Sequence, residues 1–490
     1  MPVSYELRLA VLKNMQQGDD PLPDIEGREE TKKDVLRSVL SGSSPYLVSR
    51  EGTGKTRLAE SLAKLLPPVP KVKDCPYNCD PKWSEEWKCP SCRSEKDPEW
   101  ELISGVERYS RIQGNEYTNE AKILGVKDIQ AIVQGGSPTD PKAFIGTGVL
   151  RGNRGVVCVD ELPAIPTKVQ VLFHPMLQEG KIILEEYNWV RPIDIFFVAT
   201  GNPTGFSHVN RVPEPLLDRL ELITMKLPDE DVERKIMLKE GFRIHDDFYM
   251  ERRRRKLNEP FYAQPSDLKR RTFAPWWIVD TVAKAVRYTR NCPNIDRGAS
   301  IRGSIKSLDH TLSSAELNNK LVVGLADASE GLKLSLRGRI RLRADLVGFD
   351  DSPTAFMLKN DEVVEDILWY AARDVGTSVL KALEDDIEDR QLAKEIGEIV
   401  FHDNLLSGLN SNPTAFKVVR FMEEQRPWES LSLLSDVGDL IRDAPNSVDE
   451  EVLKAYRLSA LELLAHTLNA SKEEELIPFG EVLYAPKRMK

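Results

Sequence analysis

Short, unbroken apolar runs punctuate the first 228 residues, and longer helical periodicities replace them afterwards. Runs of four to eight β-branched and aromatic residues bounded by turn signals mark strands buried on both faces. This pattern predicts strands at 45–49, 108–112, 155–159 and 195–200. Helical stretches are predicted at 55–66, 119–134 and 167–178, and residues 182–187 and 189–191 alternate like a small hairpin. Strands alternating with helices predict a parallel sheet covered on both faces. Residues 1–44 form an amphipathic lead-in that closes on a glycine/serine stretch.

After residue 228 the strands stop and helical patterns run to the C-terminus. Val364, Ile367, Leu368, Ala371, Ala372 and Val375 fall on one helical face, with Asn360 placed to cap its start. The expected organisation is a lead-in at 1–44, an α/β core at 45–228 with a polar insertion at 67–100, a helical region at 229–345 and a helical C-terminal domain at 352–490.

Composition narrows the function classes. A chain of 490 residues is long enough for about three domains. Its formal net charge of -10 argues against a surface built wholly to grip nucleic acid. The basic runs Arg252–Lys256 and Lys269–Arg271 read first as solvated faces and second as phosphate contacts. No apolar run approaches the roughly 18 residues that cross a bilayer, and the N-terminus carries no signal-peptide pattern. The expected compartment is the cytoplasm. Thiols stay reduced there, so the six cysteines are expected free or metal-bound.

Four stretches carry candidate chemistry. Gly52-Thr53-Gly54-Lys55-Thr56 follows a strand and opens a helix. Backbone N–H groups of such a loop surround phosphate oxygens, aided by the helix dipole. Lys55 would reach the β/γ phosphates of ATP, and the Thr56 hydroxyl would hold Mg²⁺. Ser49 stands where the full pattern opens with glycine. Next, the 155–159 strand delivers Asp160 and Glu161 to its C-terminal end, where open α/β sheets bind ligands. Asp160 would hold Mg²⁺ directly or through water, and Glu161 would orient and deprotonate the attacking water. Asn202 ends the following strand and could position that water. Arg219, after Leu216-Leu217-Asp218, could reach a neighbouring subunit's γ-phosphate.

Cys75-x3-Cys79-x9-Cys89-x2-Cys92 is a separate signal. Two close pairs across a short loop can set four thiolates around Zn²⁺, closing the site and making it structural. A disulfide pair is the alternative. Cys158 reads as a core residue and Cys292 as a loop residue.

Together, residues 40–345 resemble the AAA+ module of the magnesium chelatase I subunit and its MoxR relatives. The matching stretches are Ser49–Thr56, Arg111-Ile112-Gln113-Gly114 with Leu124-Gly125, Leu150–Gly155 with Asp160-Glu161-Leu162, Leu216–Arg219, and Arg297–Arg302. The resemblance implies an AAA+ P-loop core with a helical lid and an additional all-α C-terminal domain, with Arg302 as the sensor-2 arginine. It implies MgATP hydrolysis between subunits of a ring, commonly a hexamer. It also implies a partner, such as a von Willebrand A domain protein or a metal-inserting complex. The 182–189 hairpin resembles the family's insertion before the asparagine strand. The helix 2 insert would be the segment 121–150.

Two roles follow from the resemblance, a motor that remodels a partner protein or the magnesium chelatase ATPase subunit proper. A third, from another class, is a nucleic-acid translocase similar to minichromosome maintenance helicases, which share the hairpin insertion, and the basic runs motivate it. The C-terminal helices and the cysteine insertion favour a relative over the pathway enzyme itself. A scaffold that has lost hydrolysis is a fourth reading, raised by Ser49.

Overall fold

The computed structural model describes residues 1–50, 52–95, 97–202, 210–241, 272–347, 353–383, 387–402, 404–425, 444–470 and 477. The chain divides into two compact units, Met1–Pro228 and Asp229–Lys490. The basic runs at 252–256 and 269–271 lie outside the described residues.

The first unit is built on five parallel strands: β1 (Ser44–Val48), β2 (Tyr109–Gln113), β3 (Gly155–Asp160), β4 (Ile195–Gly201) and β5 (Leu220–Thr224). Their spatial order is β5-β1-β4-β3-β2. All six residues of β3 are buried, as its continuous apolar run requires of a central strand. Alternation along the strands splits the core in two. Val156, Cys158, Phe196 and Val198 face one side, where the lead-in contributes Val3, Leu7, Val11, Val35 and Val39. Residues 1–44, with helices Val3–Gln17 and Glu29–Ser41, thus share a core with the sheet. A buried Arg108–Glu6 ion pair of 2.5 Å also ties them to it. Val157, Val159, Phe197 and Ala199 face the other side, packing with Phe173, Leu150, Phe144, Trp189 and the four clustered cysteines.

Two expected helices are broken. The 119–134 stretch folds as helix Glu120–Ile123, strand Gly125–Lys127 and helix Ile129–Val133. The strand pairs with Phe144–Gly146, and Asp128 caps the new helix by accepting from the Gln130 and Ala131 N–H groups. The 167–178 helix divides into Thr167–Gln170 and Phe173–Glu179. Pro175 has no N–H to give the Val171 carbonyl, which breaks the ladder at 171–172, and it sits instead in the first turn of the second helix, where that N–H has no helical acceptor to lose. The hairpin forms as expected, Lys181–Leu184 against Trp189–Pro192.

In the second unit, helices Trp276–Tyr288, Ile301–Leu317, Leu325–Leu336, Pro353–Ala382, Pro413–Glu424 and Glu450–Ala470 contribute to one hydrophobic core. A short pair, Ile295–Arg297 with Arg341–Leu342, departs from the all-helical expectation. The apolar face Val364 to Val375 is buried as expected. Asn360 does not cap that helix. The helix starts earlier, at Pro353, a residue suited to a first turn, and Asn360 lies fully buried in its interior. Trp276 and Trp277 are packing residues: their indole N–H groups donate to the Met422 carbonyl at 3.0 Å and to Ser459 Oγ at 3.1 Å.

Candidate functional site

The glycine loop leaves β1 at Val48 and turns with Gly52 and Gly54 at φ of 73° and 88°, the left-handed region that a residue without Cβ enters freely. Thr53 Oγ1 donates to the Arg50 carbonyl at 3.1 Å, and Ser49 Oγ contacts Thr53 Oγ1. Ser49 therefore laces the loop through its hydroxyl at the position where glycine is the usual residue. Helix Lys55–Lys64 begins at once. Lys55 Nζ, almost fully buried, donates to the Ser49 carbonyl at 2.7 Å and to Asn202 Oδ1 at 3.0 Å.

A second set of contacts centres on Asp160 at the tip of β3. Its carboxylate accepts from Thr200 Oγ1 at 2.5 Å, from Thr56 Oγ1 at 3.2 Å and from Arg111 Nε at 3.1 Å. Burial pushes the Asp160 carboxyl up, but the hydrogen bonds from Thr200 and Arg111 outweigh it and hold the group below its ordinary range. Glu161 follows at φ 58°, a left-handed conformation rare for a residue with a side chain. Such an outlier costs about 1–3 kcal/mol and clusters at working sites. Its N–H donates to Thr200 Oγ1 at 3.0 Å, which holds the turn. Gly114 permits the close approach of the β2 end. A Cβ there would lie 2.4 Å from the Glu161 carbonyl oxygen.

Lys55, Thr56, Asp160 and Asn202 are thus brought together by contacts among themselves. Arg219 is not in hydrogen-bond contact with them. Its guanidinium donates to Gln178 Oε1 at 2.5 Å and contacts the Pro215 carbonyl. Arg302 lies exposed in the first turn of Ile301–Leu317, in the second unit. Arg111 and Thr200 are site residues that the motif reading passed over. The signal for Thr200 was a polar side chain at the end of an apolar strand. That for Arg111 was a long cation on a strand beside the acids.

The cysteine cluster is also assembled. Cys75, Cys79, Cys89 and Cys92 are buried, and their sulphurs all lie within 4.8 Å of one another. The Cys75 and Cys89 sulphurs are 3.9 Å apart. A tetrahedral zinc with Zn–S of about 2.3 Å requires S···S of about 3.8 Å, so the donor set fits. A disulfide would need about 2.05 Å, and all six cysteines are free thiols. Tyr77 inside the first pair donates to the Phe144 carbonyl at 3.1 Å and accepts from the Gly146 N–H at 2.8 Å. Asn153 donates to the Tyr77 carbonyl at 2.9 Å and accepts from the Asp194 N–H at 3.0 Å, tying the cluster to the entry of β4.

No family model matches the chain. Curated relatives do. The magnesium-chelatase 38 kDa subunit of Cereibacter sphaeroides is 27% identical over 243 residues, 47% of this chain and 67% of the relative. The 67 kDa subunit of Heliobacterium mobile is 28% identical over 196 residues, 37% of this chain and 28% of the relative. The magnesium-chelatase subunit ChlI of Guillardia theta is 22% identical over 343 residues, 68% of this chain and 93% of the relative. The chain therefore spans well under two thirds of one of these proteins and nearly all of another.

Proposed function

We propose that this chain, a homologue of the magnesium-chelatase I-type AAA+ ATPase subunits, binds MgATP in the first unit and hydrolyses it to drive work on a partner. The observation that carries the reading is the double contact of Lys55 with Asn202 and of Thr56 with Asp160. It places an ammonium, a hydroxyl, a carboxylate and an amide around one loop of left-handed glycines. Thr56 and Asp160 offer hard oxygen donors suited to Mg²⁺, which when bound neutralises phosphate charge. Lys55 exchanges its loop and asparagine acceptors for phosphate oxygens. Glu161, set by its left-handed backbone, takes the proton from the attacking water, and Asn202 orients that water.

Arg219 stands apart from this group, which suits a finger acting on the site of a neighbouring subunit. Arg302 would be the sensor-2 arginine of the same reaction. The working form would be a homo-oligomeric ring, a hexamer, acting in the cytoplasm. Among the described residues no helix is long and apolar enough to cross a membrane. The relatives favour a metal-inserting complex as the partner, with a von Willebrand A domain protein as the wider class that MoxR-type motors remodel. The cysteine cluster would carry a structural Zn²⁺ with all four ligands from protein.

The test is ATP turnover by the purified chain with Mg²⁺ and with the metal chelated, across concentrations that permit assembly. Magnesium-dependent phosphate release supports the reading; none under any condition removes it. Stimulation of that turnover by a candidate metal-inserting partner, and its absence with DNA, selects the role.

A further inference from the structure

We propose that Arg191 is the charge partner of a tetrathiolate metal centre, and that the metal thereby fastens the Lys181–Leu184/Trp189–Pro192 hairpin to the cysteine insertion. The proposal rests on the zinc reading of the cluster and goes beyond it.

Arg191 lies on the second hairpin strand and is 1% exposed. A guanidinium cannot shed its charge, so at this depth it needs an anion. Among the described residues it forms no ion pair with a carboxylate. Its Nε and Nη1 atoms are buried with no hydrogen-bond partner. Nη2 lies 3.5 Å from Cys79 Sγ. The guanidinium carbon sits 5.0 Å from the Tyr77 ring centroid and 5.9 Å from that of Trp189. Those rings offer cation–π attraction but no counter-charge.

Four neutral thiols would leave this cation uncompensated. Metal binding supplies the missing anion: a divalent ion displaces four thiol protons to solvent, and the resulting centre carries a net charge of about -2. Each side then accounts for the other. The buried tetrathiolate needs a cation, and a buried cation with two unpartnered guanidinium nitrogens stands against one of its sulphurs. The cation comes from a different segment from the four ligands. The hairpin also runs directly into β4, which carries Thr200 and precedes Asn202.

The experiment uses the full chain, stripped of metal under reducing conditions and reloaded with Co²⁺ or Zn²⁺ alone. The wild type is expected to show thiolate-to-cobalt charge-transfer and tetrahedral d–d bands at one equivalent. Outer-sphere partners of metal ligands are worth about 10–100-fold in metal affinity. Arg191→Met should lower affinity in a chelator competition by that factor, and Arg191→Lys should recover part of it. In the wild type, amide hydrogen exchange across 181–192 should be slower with metal than without. A wild type that binds no metal overturns the zinc reading and this proposal with it. A wild type that binds metal while Arg191→Met binds equally well overturns the role of Arg191 alone. Should Arg191→Met fail to fold, the wild-type exchange decides: equal rates with and without metal overturn the fastening.

Discussion

The cluster around Asp160 and the cysteine cluster belong to the same unit and treat charge in opposite ways. Around Asp160 the polar groups serve one another as partners, Thr56, Thr200 and Arg111 all donating to its carboxylate. The Arg111 side chain remains 45% exposed, and Glu161 is half-buried. Lys55 holds neutral acceptors at 2.7 and 3.0 Å, which under the proposed function a charged phosphate oxygen would replace. The cysteine residues are buried, and among the described residues the cation beside them forms no ion pair with a carboxylate. Under the proposed function the difference gives each cluster its role. Exchangeable partners and an open side suit turnover, whereas four buried ligands with a fixed counter-charge suit a permanent metal.

Four perturbations test this division. Arg219→Ala should lower kcat by about 10³–10⁵ while ATP binding is retained, and in mixed assemblies it should depress wild-type neighbours more than its own share. Steady-state turnover of mixtures at several ratios reads both effects. Glu161→Gln should lower turnover by about 10²–10⁴ with ATP still bound. Fluorescent-nucleotide binding beside phosphate release separates the two steps.

Chelating the metal that the proposal assigns to the cysteines should act on stability first. With metal at about a hundred times its dissociation constant, binding stabilises by about 2.7 kcal/mol, a Tm shift of about 5–10 °C. Calorimetry with and without chelator checks it, and ATP binding at moderate temperature should persist. Loss of ATP binding in step with the metal would merge the two clusters into one.

The smallest effect is the acid limb. Asp160 has a folded pKa below its ordinary 3.8. Its contribution to stability is therefore full above the unfolded value and is lost as pH falls through the folded one. Arg111→Gln removes one of the lowering contacts, so the acid midpoint of unfolding should move upward. An unchanged midpoint would mean that Thr200 and Thr56 hold the carboxylate without the arginine.

The parts legible in the sequence are those set by local chemistry. Burial on both faces gives parallel strands continuous apolar runs, so β3 and β4 announce themselves. The loop glycines, Lys55-Thr56 and the paired acids have spacings that few other needs impose. What stayed hidden depends on partners distant along the chain. Arg111 reaches Asp160 across neighbouring strands, and Arg191 meets Cys79 across 112 positions. The 119–134 segment carries a helical pattern, yet pairing with Phe144–Gly146 and the Asp128 cap override it. Asn360 carries the right residue type for a cap, but the helix had already begun.

Binding of MgATP to wild type and to Lys55→Ala, measured by calorimetric titration, tests the central claim most directly. Magnesium-dependent binding in the wild type that vanishes in the variant, with the fold unchanged by circular dichroism, is the expected result. Equal binding by both proteins would place the triphosphate somewhere other than the Lys55 loop.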